Sequence, residues 1–118
     1  MVFSATFKRC AIDPARVGIA GFSDGASYGL AVGLSNGDLF TRVAALSAGF
    51  IPEWAPRQRP MIFQSHGVND RILPIDRCGR PIHEALVKAK YNVEYHEFNG
   101  GHTVPPDIVV QAATWLGR

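Results

Sequence analysis

The sequence predicts an α/β fold with about four parallel strands flanked by helices, built as one domain over residues 1–118. Two observations carry that expectation. Short apolar, β-rich runs alternate with segments of helical periodicity, the pattern of a parallel sheet with helices packed on its faces. The chain has 118 residues, 47% of them hydrophobic, which is enough apolar material for one compact core and too little length for two.

Val2 to Cys10 carries weak helical character. The turn-forming Asp13-Pro14 then leads into Val17–Ala20, a first strand that runs straight into Gly21. A helix is expected over Asp24–Ser35, with Asn36-Gly37 as its C-terminal stop. Gly25, Gly29 and Gly33 share one face of that helix, each costing about 1 kcal/mol against alanine, so the spacing predicts a close backbone approach there. Val43–Leu46 reads as a second strand. The next stretch, Ser47 to Pro60, contains Pro52, Pro56 and Pro60 and is expected to be irregular.

Met61–Gln64 makes a third strand, and Ile82, Ala85, Leu86 and Ala89 mark the apolar face of a helix over Arg80–Tyr91. Val93–Phe98 is the fourth strand, and Glu94, His96 and Glu97 make it polar enough for a sheet edge. A last helix starts near Pro106 and turns Ile108, Val109, Ala112 and Leu116 inward.

Composition narrows the function classes. A formal charge of +2, with Arg and Lys dispersed, gives no basic stripe for a nucleic-acid partner. No apolar run approaches the ~20 residues that span a bilayer, and Lys8 and Arg9 interrupt any signal-like core, so a soluble, cytoplasmic chain is expected. Cys10 and Cys78 stand outside any CxxC or Cys/His pattern; two free thiols, no metal and no cofactor are expected.

Three loop signals belong together. Gly21-Phe22-Ser23-Asp24-Gly25 is a G-x-S-x-G between a predicted strand and a predicted helix, where small residues allow a strained turn that lifts the serine. The helix N-terminus behind Ser23 favours an oxyanion, with the Asp24 backbone N–H as one donor. His66-Gly67-Val68-Asn69-Asp70 follows the third strand and places Asp70 at a strand's C-terminal end, whereas His66 reads as structural. Asn99-Gly100-Gly101-His102 follows the fourth strand and gives an imidazole room to swing over the sheet edge. His83 and His96 lack such a loop context. A serine, an acid and a histidine in that order, each just past a parallel strand, predict that His102 takes the Ser23 proton while Asp70 orients the imidazole. Phe22, Phe50, Ile51 and Trp54 are candidate apolar contacts for an acyl group.

These blocks, with Asp13-Pro14-Ala15-Arg16-Val17 before them and Pro74 within them, resemble the phospholipase/carboxylesterase branch of the α/β-hydrolases, near the dienelactone-hydrolase-like and polyhydroxybutyrate-depolymerase-like esterases. The resemblance implies a serine esterase acting on a small ester, and it makes the strands the counterparts of the last four of eight. It makes the opening residues the end of the helix before the nucleophile strand. It also implies an upstream portion of roughly a hundred residues that carries the first strands and a second oxyanion donor. An uncovered edge on Val17–Ala20 then predicts a homo-oligomer that covers it.

Overall fold

A computed structural model describes residues 7–13, 16–56 and 58–118, with side chains from residue 17 onward. Its elements in chain order are β1 (Phe7–Asp13), β2 (Arg16–Phe22), α1 (Asp24–Ser35), β3 (Phe40–Leu46), β4 (Met61–Gly67), α2 (Gly79–Lys88), β5 (Val93–Phe98) and α3 (Pro106–Leu116). The five strands form one sheet in sequence order. β2, β3, β4 and β5 are parallel, in registers such as Ile19 with Val43, Val43 with Ile62 and Ile62 with Val93. That is the expected α/β architecture.

The opening segment is corrected. Phe7 to Cys10, expected to be helical, lies in β1, which runs antiparallel along β2 with Phe7 opposite Gly21 and Ala11 opposite Val17. Residues 2–6 of that helical expectation fall outside the described residues. A short isolated helix is marginal in water, whereas pairing with β2 satisfies a whole row of backbone groups. The same pairing covers the edge of Val17–Ala20 that was expected to be open.

The remaining elements match in kind and differ at their ends. β2, β3 and β4 each run longer than their apolar runs, and β4 carries His66 and Gly67 inside the strand. α2 stops at Lys88 rather than Tyr91 because Lys90 takes a left-handed φ of 71° and Tyr91 N–H bonds back to Leu86 O.

Two cores flank the sheet. On one face Ile19, Leu30, Leu34, Val43, Ile62, Ile82 and Leu86 bury against one another beneath α1 and α2. On the other, Ala44 and Phe63 pack against Ile108, Ala112 and Trp115 of α3. β4 is buried from Ile62 to Gly67, and the alternating direction of its side chains sends Ile62 to one core and Phe63 to the other. Of the glycine face of α1, Gly33 lies so close to β3 that a Cβ would collide with the Val43 side chain. A Cβ at Gly29 would meet nothing within 4 Å, so the close approach at Gly33 is not shared by Gly29 one turn earlier.

A polar clamp ties α2 to β5. Arg80 donates to both carboxylate oxygens of Glu97 at 2.9 and 3.0 Å and to Asp76 at 2.6 Å. Arg80 and the Tyr95 hydroxyl hold the Glu97 carboxyl down at about 2. Cys78 is free and buried, and that burial pushes its thiol up. The Cys10 side chain lies outside the described set.

Candidate active site

The turn between β2 and α1 carries Ser23 with φ 60° and ψ −120°, a conformation that non-glycine residues rarely adopt. It is over-determined by its bonds. Ser23 N–H donates to Leu46 O at 2.9 Å, while Ser23 O accepts from Ala26 N–H at 3.0 Å and Ser27 N–H at 3.1 Å. Gly21 and Gly25 on either side are buried. The buried Ser27 hydroxyl also accepts from Gly49 and Phe50 N–H at 2.8 and 3.2 Å, which ties the turn to the loop after β3. Asp24 begins α1, so its N–H has no intrahelical acceptor and stands beside the half-buried Ser23.

Asp70 sits in the loop after β4 with a wholly buried side chain. Its Oδ1 accepts from Ile72 N–H at 2.9 Å and Leu73 N–H at 2.7 Å. Burial opposes its charge more strongly than any other single influence. The Leu73 N–H, the His102 imidazole and the Ile72 N–H together outweigh burial and leave the carboxyl below the ordinary aspartate value.

The loop after β5 is fastened to the Asp70 loop by Val68 N–H to Phe98 O and Asn69 N–H to Gly100 O, both 2.9 Å. Gly67 makes this closeness feasible, because a Cβ there would run into the carbonyl oxygens of Gly100 and Gly101. His102 emerges from that loop. Its Nδ1–H donates to Asp70 Oδ2 at 2.7 Å, and its Nε2 accepts from the Ser23 hydroxyl at 2.9 Å. The carboxylate can only accept, which fixes this tautomer. The Phe22 ring lies 4.9 Å from the imidazole, centroid to centroid.

The structure thus brings Ser23, His102 and Asp70 into one hydrogen-bonded chain. The four apolar candidates do not converge in the same way. Phe22 touches the imidazole and Phe50 is exposed, whereas Ile51 and Trp54 pack against the core and Trp54 donates to the Tyr91 hydroxyl at 2.8 Å. His83 stacks on Tyr95, and His96 bonds Glu94.

Four contacts around the site have no counterpart in the sequence reading. The Ile72 and Leu73 donors are backbone groups with no side-chain signature. Ser47, with φ 58° and no exposed surface, donates to Thr103 O at 3.4 Å beside His102. His66 turns out to touch the acid: its Nε2 lies 3.4 Å from Asp70 Oδ2. The four-residue spacing in His66-Gly67-Val68-Asn69-Asp70 was the available signal for it. Among the described residues no group of His, Cys, Asp and Glu could hold a metal ion, and no helix is long and apolar enough to cross a membrane.

A serine at a strained strand-to-helix turn, with a histidine and an acid on loops after later parallel strands, defines the α/β-hydrolase class. The phospholipase/carboxylesterase family matches residues 3–117, and the chain belongs to it. No curated protein matches the sequence. Among solved structures, esterase PE8 is similar at 25% identity and a TM-score of 0.72, over 82% of this chain and 47% of that one. Arabidopsis thaliana SOBER1 is similar at 23% identity and 0.74, over 84% and 50%. Zea mays acyl-protein thioesterase 2 is similar at 20% and 0.69, over 82% and 53%. The chain spans about half the length of these structures.

Proposed function

We propose that the chain is the catalytic portion of a serine carboxylesterase that hydrolyses short or medium acyl esters. The observation that carries this reading is the pair of short hydrogen bonds linking Ser23, His102 and Asp70, at 2.9 and 2.7 Å. His102 Nε2 takes the hydroxyl proton as Ser23 Oγ attacks the ester carbonyl carbon, and the carbonyl electron pair moves onto oxygen. That oxyanion faces the Asp24 N–H at the start of α1. Collapse expels the alcohol, which takes its proton from His102. Water then attacks the acyl-enzyme by the same proton path and frees the acid and Ser23. Asp70 keeps the imidazole in the accepting tautomer and stabilises its cation. Membership of the phospholipase/carboxylesterase family and the name of esterase PE8 support acyl transfer to water as the reaction class.

Phe22 beside His102 and the exposed Phe50 on the loop tied to α1 favour an apolar acyl group. Ile51 and Trp54 serve this role by bracing that loop on the core. Turnover of a short chromogenic ester by the wild type and by Ser23→Ala tests the reading. The variant is expected to fall to background, and undiminished hydrolysis would overturn it.

One observation favours a second reading. The chain covers about half the length of the solved structures it matches, and in this class the loop after the third strand supplies the second oxyanion donor. One lost donor typically costs about 10²–10³ in turnover. In this reading the chain gains full activity when a complementary polypeptide supplies that loop, and without one it acts as an assembly module. Self-association by strand addition then joins at the outer edge of β1.

A further inference from the structure

We propose that His66 is a positioning residue for this site, acting through Asp70 to aim the carboxylate oxygen that His102 uses; the inference rests on the esterase reading for its catalytic consequence. His66 has no exposed surface and lies in β4, one residue before the glycine at the strand's end. Its ring is seated flush against the start of α2. A Cβ on Gly79 would come within 2.7 to 2.8 Å of three of its atoms.

Its Nε2 lies 2.6 Å from Leu73 O. A carbonyl oxygen only accepts, so Nε2 carries the hydrogen. Leu73 is thereby gripped twice, since its N–H donates to Asp70 Oδ1 at 2.7 Å while its carbonyl receives the His66 N–H. The same Nε2 stands 3.4 Å from Asp70 Oδ2, the oxygen that accepts from His102 at 2.7 Å. Oδ1 is occupied by two backbone donors, and Oδ2 lies between two imidazoles. The positive end of the His66 N–H keeps negative charge on Oδ2, and the pinned Leu73 keeps the carboxylate from rotating away from His102.

The other ring nitrogen argues against a packing role. His66 Nδ1 is buried and has no hydrogen-bond partner among the described residues. Leaving a buried acceptor unpaired costs about 1–3 kcal/mol, which an apolar side chain of similar size avoids. The bond made by Nε2 is what the position retains.

The test uses the full chain with His66→Gln, His66→Asn and His66→Leu. Glutamine places an amide N–H near the Nε2 position, whereas asparagine stops short of it and leucine has no donor. The asparagine and leucine variants are expected to lose about tenfold or more in kcat with KM nearly unchanged, and glutamine to restore most of the loss. A second readout needs no turnover. The proton between His102 Nδ1 and Asp70 is expected as a far-downfield NMR resonance that persists in the wild type and the glutamine variant and is lost in the other two. A wild type without turnover would defeat the esterase reading, and the resonance would still decide the role of His66.

If the leucine variant does not fold, asparagine against glutamine decides. Unchanged kcat and resonance in the asparagine variant, or equal damage by glutamine and asparagine, overturns the proposal. Loss of fold in both the asparagine and leucine variants would assign His66 to stability alone and overturn it too.

Discussion

At Ser23 the backbone holds φ 60° and ψ −120°, which costs a non-glycine residue about 1–3 kcal/mol and is compensated by the bonds to Leu46, Ala26 and Ser27. Ser23→Gly removes both the side chain and the strain. It is expected to raise stability by about 1 kcal/mol in urea melts while abolishing ester hydrolysis. Activity and stability moving in opposite directions identifies stored strain; a destabilised glycine variant would deny it. Asp70 adds a pH dependence. Its carboxyl sits below the unfolded value, so the unfolded chain binds more protons in that interval. The stability it contributes is complete above about pH 4 and is lost as pH falls through the folded value. Asp70→Asn is therefore expected to flatten the acid side of the stability curve, measured as urea midpoint against pH. Ser23, Asp70 and His102 were legible because glycines and strand ends bracket each of them. The contact of His66 with Asp70 was not legible, because it arises from how the loop folds back, which strand position alone does not reveal.

Within the elements, α1 offers a matched pair of substitutions. Gly33→Ala drives a methyl group into Val43 of β3 and is expected to cost about 1–3 kcal/mol despite the better helix propensity. Gly29→Ala meets open space on the same helix and is expected to gain up to about 1 kcal/mol. Denaturant midpoints of the two variants should move in opposite directions, and equal shifts would mean that the helix does not lie against β3 as described. The sequence pattern located this glycine face, yet periodicity alone does not say which of its turns meets the sheet. The opening segment was misread for a related reason. Phe7 to Asp13 has no decisive local signal, and its strand state comes from the partner β2. Helix and strand types elsewhere followed from apolar periodicity, while their ends depended on Lys90 and on pairing that extends strands beyond their apolar runs.

On the scale of the whole molecule, β1 replaces the open edge once expected at Val17–Ala20. The proposed homo-oligomer moves with that edge. Light scattering at micromolar concentration is expected to give a dimer mass, and a monodisperse monomer would remove the strand-addition reading. Parallel order from β2 to β5 gathers the C-terminal ends of these strands along one rim, and the loops there carry Ser23, Asp70 and His102. The rim is cross-linked by backbone bonds between the loops after β4 and β5, which keeps Asp70 and His102 together.

The central claim is that His102, oriented by Asp70, makes Ser23 a nucleophile. Reaction with a fluorophosphonate, followed by intact mass and peptide mapping, measures this directly. One adduct per chain on Ser23 is expected, at a rate reduced at least about a hundredfold in His102→Ala. An unlabelled Ser23 in the folded chain, or labelling that ignores His102, would contradict it.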